Sequence, residues 1–144
     1  MNKLTLSVNK ELDITIYTAS GEVNYEEICE VINDHYKGPL TKYVILDYSA
    51  PSANSILTPG EVRLLAKLVC EKRKAQPGYC AFIVSDSVKY ERARIFAAHT
   101  EVISCDEGGL KTLIFRNMDE AMTWIRHDTK FVKSDWQPPI DLQS

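Results

Sequence analysis

Acidic and hydroxyl side chains that directly follow apolar runs are the groups of this chain best placed to do chemistry. Asp47 and Ser49 follow one such run, and Asp86 and Ser87 follow the next one along the chain. If both runs are strands of a parallel sheet, these side chains lie at its carboxyl edge, where ligands gather in such folds. Paired acids at that place can take part in acid–base catalysis, although they more often cap loops and helices. The sequence therefore predicts a candidate binding edge without a complete catalytic set.

Enzymatic and metal chemistry would need further residues that the sequence does not arrange. A nucleophile needs a base, and a metal ion needs clustered ligands. The histidines show neither triad nor ligand spacing: His35, His99 and His127. The cysteines contain no C-x-x-C pair and are interpreted as buried reduced thiols: Cys29, Cys70, Cys80 and Cys105. We therefore expect no enzyme activity, no metal and no cofactor.

The apolar run that ends at Asp47 is also similar to the phosphoacceptor strand of response-regulator receivers. A receiver needs an acid pair after its first strand and a lysine after its last strand. This chain begins with a predicted hairpin, and its last predicted strand ends at Arg116 and Asn117. We therefore expect Asp47 to accept backbone N–H groups in the loop that follows it.

Four helix-opening signatures set the framework around these side chains. In Thr58-Pro59-Gly60-Glu61 the threonine can cap a helix, proline suits the first helical position, and Glu61 completes a capping box. Three further openings are predicted at Asn24 with Glu27, at Asn117 with Glu120, and at Asp86 with Ser87.

Short apolar runs between these openings predict the element order β-β-α-β-α-β-α-β-α. Period-two alternation predicts a hairpin over residues 4–8 and 12–18. The later elements are predicted as helices over 24–37, 58–75, 87–100 and 118–126, strands over 43–47, 79–85 and 110–116, and a polar loop over 49–57. The predicted fold class is α/β, a mixed sheet with an N-terminal hairpin and mostly parallel strands, covered by four helices.

Length and composition indicate one domain. The chain has 144 residues, of which 44% are hydrophobic, and this suffices to bury a core. We predict a domain over 1–126 and an extended C-terminal tail over 127–144. Phe131 and Trp136 make the tail apolar enough to dock, either on its own domain or on a second subunit.

Charge and hydropathy argue against two kinds of partner. A net charge of -3 and a pI near 5.6 do not fit nucleic-acid binding, which needs a basic face. The basic run at 72–74 is interpreted as the end of a helix, where it interacts with the helix dipole. No apolar stretch approaches the ~20 residues of a membrane span, and no signal peptide is visible, so we predict a cytoplasmic protein.

Two stretches of the chain carry a resemblance to a known family. They read Glu-Arg-Ala-Arg-Ile-Phe at 91–96 and Ile-Phe-Arg-Asn-Met-Asp-Glu-Ala-Met-Thr-Trp-Ile at 114–125. Together with the element order, they resemble the STAS superfamily of anti-sigma-factor antagonists, and more narrowly its SpoIIAA-like branch, over residues 2–126. The resemblance implies a regulatory or protein-binding module whose partner is a protein, such as a regulatory kinase or phosphatase.

The phosphorylation turn is where this chain departs from that family. Antagonists of the phosphoswitch type carry Asp-Ser-Ser-Gly or a similar sequence there, and the first serine is the phosphoacceptor. The same frame reads Leu57-Thr58-Pro59-Gly60 here. Thr58 is therefore the candidate phosphoacceptor, since added negative charge is favourable at a helix N-terminus. A plain helix cap is the alternative role for Thr58.

These patterns predict a non-enzymatic STAS-like regulatory or protein-binding module. Its expected contact surface is the rim formed by the 49–58 loop and the helix that starts at Thr58. The predicted partner- or ligand-binding residues are Asp47, Ser49, Ser55, Thr58, Gly60, Asp86, Ser87 and Arg92. The alternative is a carrier of a small hydrophobic ligand, because the superfamily resembles CRAL-TRIO lipid-binding domains in layout. In that case apolar residues of the loop and of the third helix would line a pocket.

Overall fold

A computed structural model describes residues 4–74, 76–104 and 110–130 of the chain. Within these residues the helices are α1 (Tyr25–His35), α2 (Pro59–Lys72), α3 (Ser87–Ser104) and α4 (Met118–Lys130). The strands are β1 (Leu4–Asn9), β2 (Ile14–Ala19), β3 (Glu22–Asn24), β4 (Tyr43–Tyr48), β5 (Asn54–Ile56), β6 (Gly78–Val84) and β7 (Leu110–Phe115).

Five of these strands form one mixed sheet in the order β1-β2-β4-β6-β7. The first two pair in antiparallel fashion, as the predicted hairpin requires, and β2, β4, β6 and β7 pair in parallel. Parallel neighbours need long crossover connections, and α1, α2 and α3 lie in the three connections between them. The predicted α/β class, with a hairpin followed by parallel strands, is confirmed.

A second, two-stranded sheet pairs β3 with β5 in parallel, and the sequence does not predict it. Each strand has only three residues, which is too short for a period-two pattern to stand out. The prediction of a continuous loop over 49–57 is therefore wrong at residues 54–56. The backbone N–H of Asn54 also donates to the carbonyl oxygen of Gly21 at 2.9 Å, so the strand is fixed from outside its own segment.

Two hydrophobic clusters lie on the two faces of the five-stranded sheet. On one face, α1, α2 and α3 pack over Val44 and Cys80. On the other face, α4 places Trp124 against Ile45 and Ile83. Successive residues of a strand point to opposite faces, which explains why Val44 and Ile45 belong to different clusters. The central strands are therefore buried on both sides, as their unbroken apolar sequences predict.

Hydrogen bonds confirm all four predicted helix openings. The backbone N–H of Thr58 donates to Glu61 Oε1 at 2.9 Å, and the backbone N–H of Glu61 donates to Thr58 Oγ1 at 3.1 Å. The other caps are Asn24 with Glu27 in α1, Asp86 with Lys89 in α3, and Asn117 with Glu120 in α4.

The helix lengths test the predicted start of the C-terminal tail and the predicted absence of a membrane span. Helix α4 continues to Lys130, four residues beyond its predicted end at 126, so the first part of the predicted tail is helical. The rest of that tail, 131–144, lies outside the described residues. None of the described helices combines the length and the hydropathy that a membrane span requires.

Candidate functional site

The predicted binding edge forms at the carboxyl ends of β4 and β6. Asp47 Oδ1 accepts hydrogen bonds from the Ser49 backbone N–H at 3.0 Å and from the Ser49 hydroxyl at 2.6 Å. The prediction that Asp47 binds the loop that follows it is therefore confirmed. Asp86 Oδ1 accepts from the Lys89 backbone N–H at 2.9 Å and so caps α3. Both acids thus hold local structure together.

Lys89, which the sequence does not single out, ties this edge to α3. Its Nζ donates to the carbonyl oxygens of Tyr48 at 3.1 Å and Ala50 at 2.9 Å, and it lies 3.7 Å from Asp86 Oδ2. The loop after β4 is therefore fastened to the first turn of α3. In this way the structure brings the predicted edge residues Asp47, Ser49, Asp86 and Ser87 to one end of the sheet.

The other predicted binding residues lie in the β3–β5 sheet, at the start of α2 and on α3. Thr58 is exposed, and its hydroxyl is engaged in the capping box of its own helix. Gly60 is exposed in the first turn of α2. Ser55 belongs to β5, and its side chain lies outside the part of the chain that the structure describes. Arg92 is half-buried on α3 and borders a cavity.

That cavity lies between the five-stranded sheet and helices α1, α2 and α3. Its volume is about 80 Å³, and it is partly open to solvent. Its apolar wall includes Val44, Leu46 and Phe82 from the sheet, Ile28 and Ile32 from α1, Val62, Leu65 and Val69 from α2, and Phe96 from α3. Two residues of α3 also line the cavity: Arg92, a predicted binding residue, and Lys89, which holds the loop after β4. The cavity therefore adjoins the predicted edge.

The strand register separates the two ends of the cavity. Tyr48 pairs with Val84 at the carboxyl ends of β4 and β6, so Tyr48 and Lys89 mark the end next to the predicted edge. Leu110 pairs with Gly78 at the amino ends of β6 and β7 and marks the opposite end. We call the first of these the outer end and the second the inner end.

A polar cluster, defined by Tyr17, His35, Tyr36 and Arg73, lies beside the cavity. Tyr17 Oη and His35 Nδ1 form a short hydrogen bond, and Arg73 Nε donates to Tyr36 Oη at 3.1 Å. The Arg73 guanidinium also lies over the Tyr36 ring, 5.5 Å from its centroid. Tyr17 and Tyr36 line the cavity, and His35 and Arg73 lie behind them, outside its lining.

Burial sets the protonation states in this cluster. Burial, and then the positive charge of Arg73, lowers the pKa of His35 from 6.5 to about 4. Burial raises the pKa of Tyr17 well above its ordinary value of 10.0. At neutral pH both side chains are therefore neutral. The imidazole tautomer decides which of the two donates in their hydrogen bond.

Arg73 is a residue of the polar cluster that sequence reasoning missed. It is 0% exposed, although it stands in the basic run that we interpret as the end of a helix. It does cap the C-terminus of α2, but it also continues the buried stripe of Ala66 and Val69 at helical spacing. That spacing is the signal that points to its burial. At Gly78 an added Cβ would lie 2.8 Å from Arg73 Nη1, so glycine leaves the room that the guanidinium occupies.

Three buried nitrogen atoms in the cluster have no hydrogen-bond partner among the described residues. They are His35 Nε2, Arg73 Nη1 and Arg73 Nη2. Buried polar atoms are paired in the great majority of cases, so three orphans in one cluster are unusual. Neither Arg73 nor His35 lines the cavity, so these atoms belong to the packed interior behind its wall.

The cysteines of the chain differ in burial, and one of them lines the cavity. The thiol of Cys80 lines the cavity, and burial raises its pKa to about 12, so it stays protonated at neutral pH. The prediction of buried reduced thiols is confirmed for Cys70 and Cys80, Cys29 is free and half-buried, and Cys105 lies outside the described residues. Within the described residues, no three histidine, cysteine or acidic side chains are grouped in a way that could hold a metal ion.

Comparison with known proteins gave no matching family model, no matching curated protein and no matching solved structure. The resemblance to the STAS superfamily therefore stays a prediction that depends on the quoted residues and the element order.

Proposed function

We propose that this chain is a non-enzymatic binding module that takes a small hydrophobic ligand into the cavity between its sheet and helices α1, α2 and α3. The observation that carries this proposal is the cavity itself, with its apolar wall, its opening to solvent and its few polar groups at the two ends. Small-molecule sites are concave and mostly apolar, and a small number of polar groups fix the ligand's orientation.

The size of the cavity limits the ligand. Its volume of about 80 Å³ is roughly half of the ~150 Å³ of an apolar cavity that binds benzene. A short alkyl group therefore fits inside, and a longer ligand would extend through the opening. The acids at the predicted edge are already engaged in caps and loops, which supports binding in preference to catalysis.

Adjacent leucines on α2 give a matched pair of variants for testing this proposal. Leu65 lines the cavity and is 5% exposed, whereas Leu64 is 54% exposed. Leu65→Phe should fill part of the cavity and weaken binding of hexanoate and hexyl alcohol in titration calorimetry. Leu64→Phe should bind both compounds as the parent does. Equal binding by the two variants would show that the ligand lies elsewhere, and a parent protein that binds neither compound would refute the proposal.

A second candidate function is a STAS-like regulatory module that binds a protein partner, such as a kinase or phosphatase, at the rim. It is favoured by an exposed apolar residue beside the edge, because Val88 is 64% exposed in the first turn of α3. Exposure of Thr58 also leaves it accessible to a modifying enzyme. Pull-down experiments with Thr58→Glu and with Thr58→Ser as its control test this function. A partner lost or gained only with the glutamate variant supports it, and identical partners together with no phosphopeptide at Thr58 would contradict it.

A further inference from the structure

Two basic side chains of helix α3 line the cavity toward its outer end. Lys89 and Arg92 stand three residues apart, and Phe96 lines the cavity four residues farther on, so all three lie on one face of the helix. The helix follows the carboxyl end of β6 and precedes the amino end of β7, so it leads from the outer end toward the inner end. At a rise of about 1.5 Å per residue, Arg92 lies about 4.5 Å along the axis from Lys89, and Phe96 lies about 6 Å farther inward.

The charged groups in the cavity lining are both positive within the described part of the chain. No aspartate or glutamate of that part lines the cavity, and its other lining residues are uncharged. Asp86 lies next to the outer end, where its carboxylate is 3.7 Å from Lys89 Nζ. This acid offsets the charge of Lys89, which also donates to two carbonyl oxygens. Arg92 brings a second positive charge to the lining.

The Arg92 side chain is suited to hold a charged group at the edge of the cavity. It is half-buried, so part of it faces the cavity while part of it reaches solvent. The hydrocarbon stem of an arginine can pack on an apolar wall while its charged head stays hydrated. A guanidinium also carries five N–H donors in a planar fork, so it can bind both oxygen atoms of a carboxylate in addition to contacts within the protein.

We propose that the cavity binds the hydrocarbon chain of a short monocarboxylate, whose carboxylate lies toward the outer end and pairs with Arg92. The apolar wall surrounds the chain, and the chain points toward Leu110 at the inner end. A carboxylate only accepts hydrogen bonds, and it pairs with one guanidinium in a planar, bidentate geometry. Its single charge also matches the single charge of Arg92. This inference rests on the proposed ligand-binding function and specifies the class of ligand and its orientation.

The tyrosine hydroxyls of the polar cluster do not compete for the carboxylate. Tyr17 Oη shares a hydrogen bond with His35 Nδ1, and Tyr36 Oη accepts from Arg73 Nε at 3.1 Å. Burial raises the pKa of both phenols, so they carry no charge at neutral pH. Hydrogen bonds between two charged groups are stronger than those that involve a neutral donor. The carboxylate is therefore expected at Arg92.

Matched ligands test this inference in the parent protein, without any substitution. Octanoate and octyl alcohol have the same number of carbon atoms, and hexanoate and hexyl alcohol form a second pair. At neutral pH, titration calorimetry should show each carboxylate binding at least about fivefold more tightly than its alcohol, because the carboxylate gains charge-assisted hydrogen bonds.

Substitutions on α3 then locate the difference. Arg92→Gln removes the charge, and Arg92→Lys keeps the charge without the planar fork. Arg94→Gln is the matched control, because Arg94 is exposed on the same helix and does not line the cavity. Octanoate should bind at least about fivefold more weakly to Arg92→Gln, with a smaller loss for Arg92→Lys and none for Arg94→Gln. Octyl alcohol should bind all three variants as it binds the parent.

The outcomes separate this inference from the proposed function. If a carboxylate binds the parent no more tightly than its alcohol, or if Arg92→Gln binds octanoate as the parent does, the carboxylate site is refuted while the cavity remains a ligand site. Equal losses in Arg92→Gln and Arg94→Gln would also refute it, because they would reflect the charge of the helix as a whole. If the parent binds neither octanoate nor octyl alcohol, the ligand-binding function falls and this inference falls with it. Should Arg92→Gln fail to fold, Arg92→Lys and the comparison in the parent protein still decide the matter.

Discussion

Mild acid should destabilise the folded state through His35, because its imidazole is buried in the polar cluster near Arg73. His35 is 8% exposed. It shares a hydrogen bond with Tyr17, its ring centroid lies 4.5 Å from that of Tyr36, and the positive charge of Arg73 acts on it. Its pKa is about 4 in the folded state and 6.5 in the unfolded state. Between these two values the unfolded chain binds more protons, so the free energy of unfolding falls as the pH falls. The stabilisation is fully present above 6.5 and is lost as the pH drops toward 4.

The size of this effect follows from the two pKa values. The free energy of unfolding should decrease by about 2 kcal/mol between about pH 7.5 and about pH 5, and by about 3 kcal/mol once the pH lies below 4. Urea unfolding at each pH measures this decrease, with His35→Gln as the control, because a glutamine amide can form a hydrogen bond with Tyr17 and does not titrate. Other titrating groups contribute equally to both proteins. The free energy of unfolding of the parent should therefore fall by about 2 kcal/mol more than that of His35→Gln between about pH 7.5 and about pH 5. Equal pH dependence in the two proteins would refute the buried, neutral imidazole.

Three further predictions concern stability. Thr58→Ala should lower the free energy of unfolding by about 1 kcal/mol in urea melts because the cap is lost, and Thr58→Ser should leave it nearly unchanged. Equal stability of the alanine variant and the parent would mean that the cap contributes nothing. Lys89→Met should lower the free energy of unfolding by about 2 kcal/mol because two charge-assisted hydrogen bonds are lost. Lys67→Met, the control at an exposed position, should lower it by less than about 0.5 kcal/mol. Similar losses in the two variants would contradict the role of Lys89. Arg73→Met should lower the free energy of unfolding by at most about 1 kcal/mol or raise it, since it removes a buried charge that has no acidic partner among the described residues. A loss above about 3 kcal/mol would show that the charge is well paired.

The fold was largely predictable because its signals are local. Capping boxes such as Thr58 with Glu61 depend on residues three positions apart, and the crossover order follows from alternating strand and helix patterns. The small β3–β5 sheet could not be predicted in the same way. Its pairing joins segments about thirty residues apart in sequence, through strands of only three residues.

The binding edge could be predicted from the sequence, whereas the polar cluster beside the cavity could not. Asp47 and Asp86 follow apolar strands, so their position at one end of the sheet was predictable. The polar cluster was not, because it forms between elements that are distant in sequence. Arg73 is buried only because Tyr36 from another helix covers it and Gly78 leaves room for it. The helix dipole is sufficient to explain a basic run at a helix end. The run itself therefore gives no indication that its central residue, Arg73, is buried.

Methyl-resolved nuclear magnetic resonance, during titration with hexanoate, tests the central claim of a ligand cavity most directly. Ile32, Val44 and Leu65 line the cavity, while Ile125 lies in the hydrophobic cluster on the other face of the sheet. The proposed function predicts saturable shifts of the methyl signals of the first three residues and no shift for Ile125. Unchanged signals at Ile32, Val44 and Leu65, or shifts confined to the Ile125 face, would contradict it.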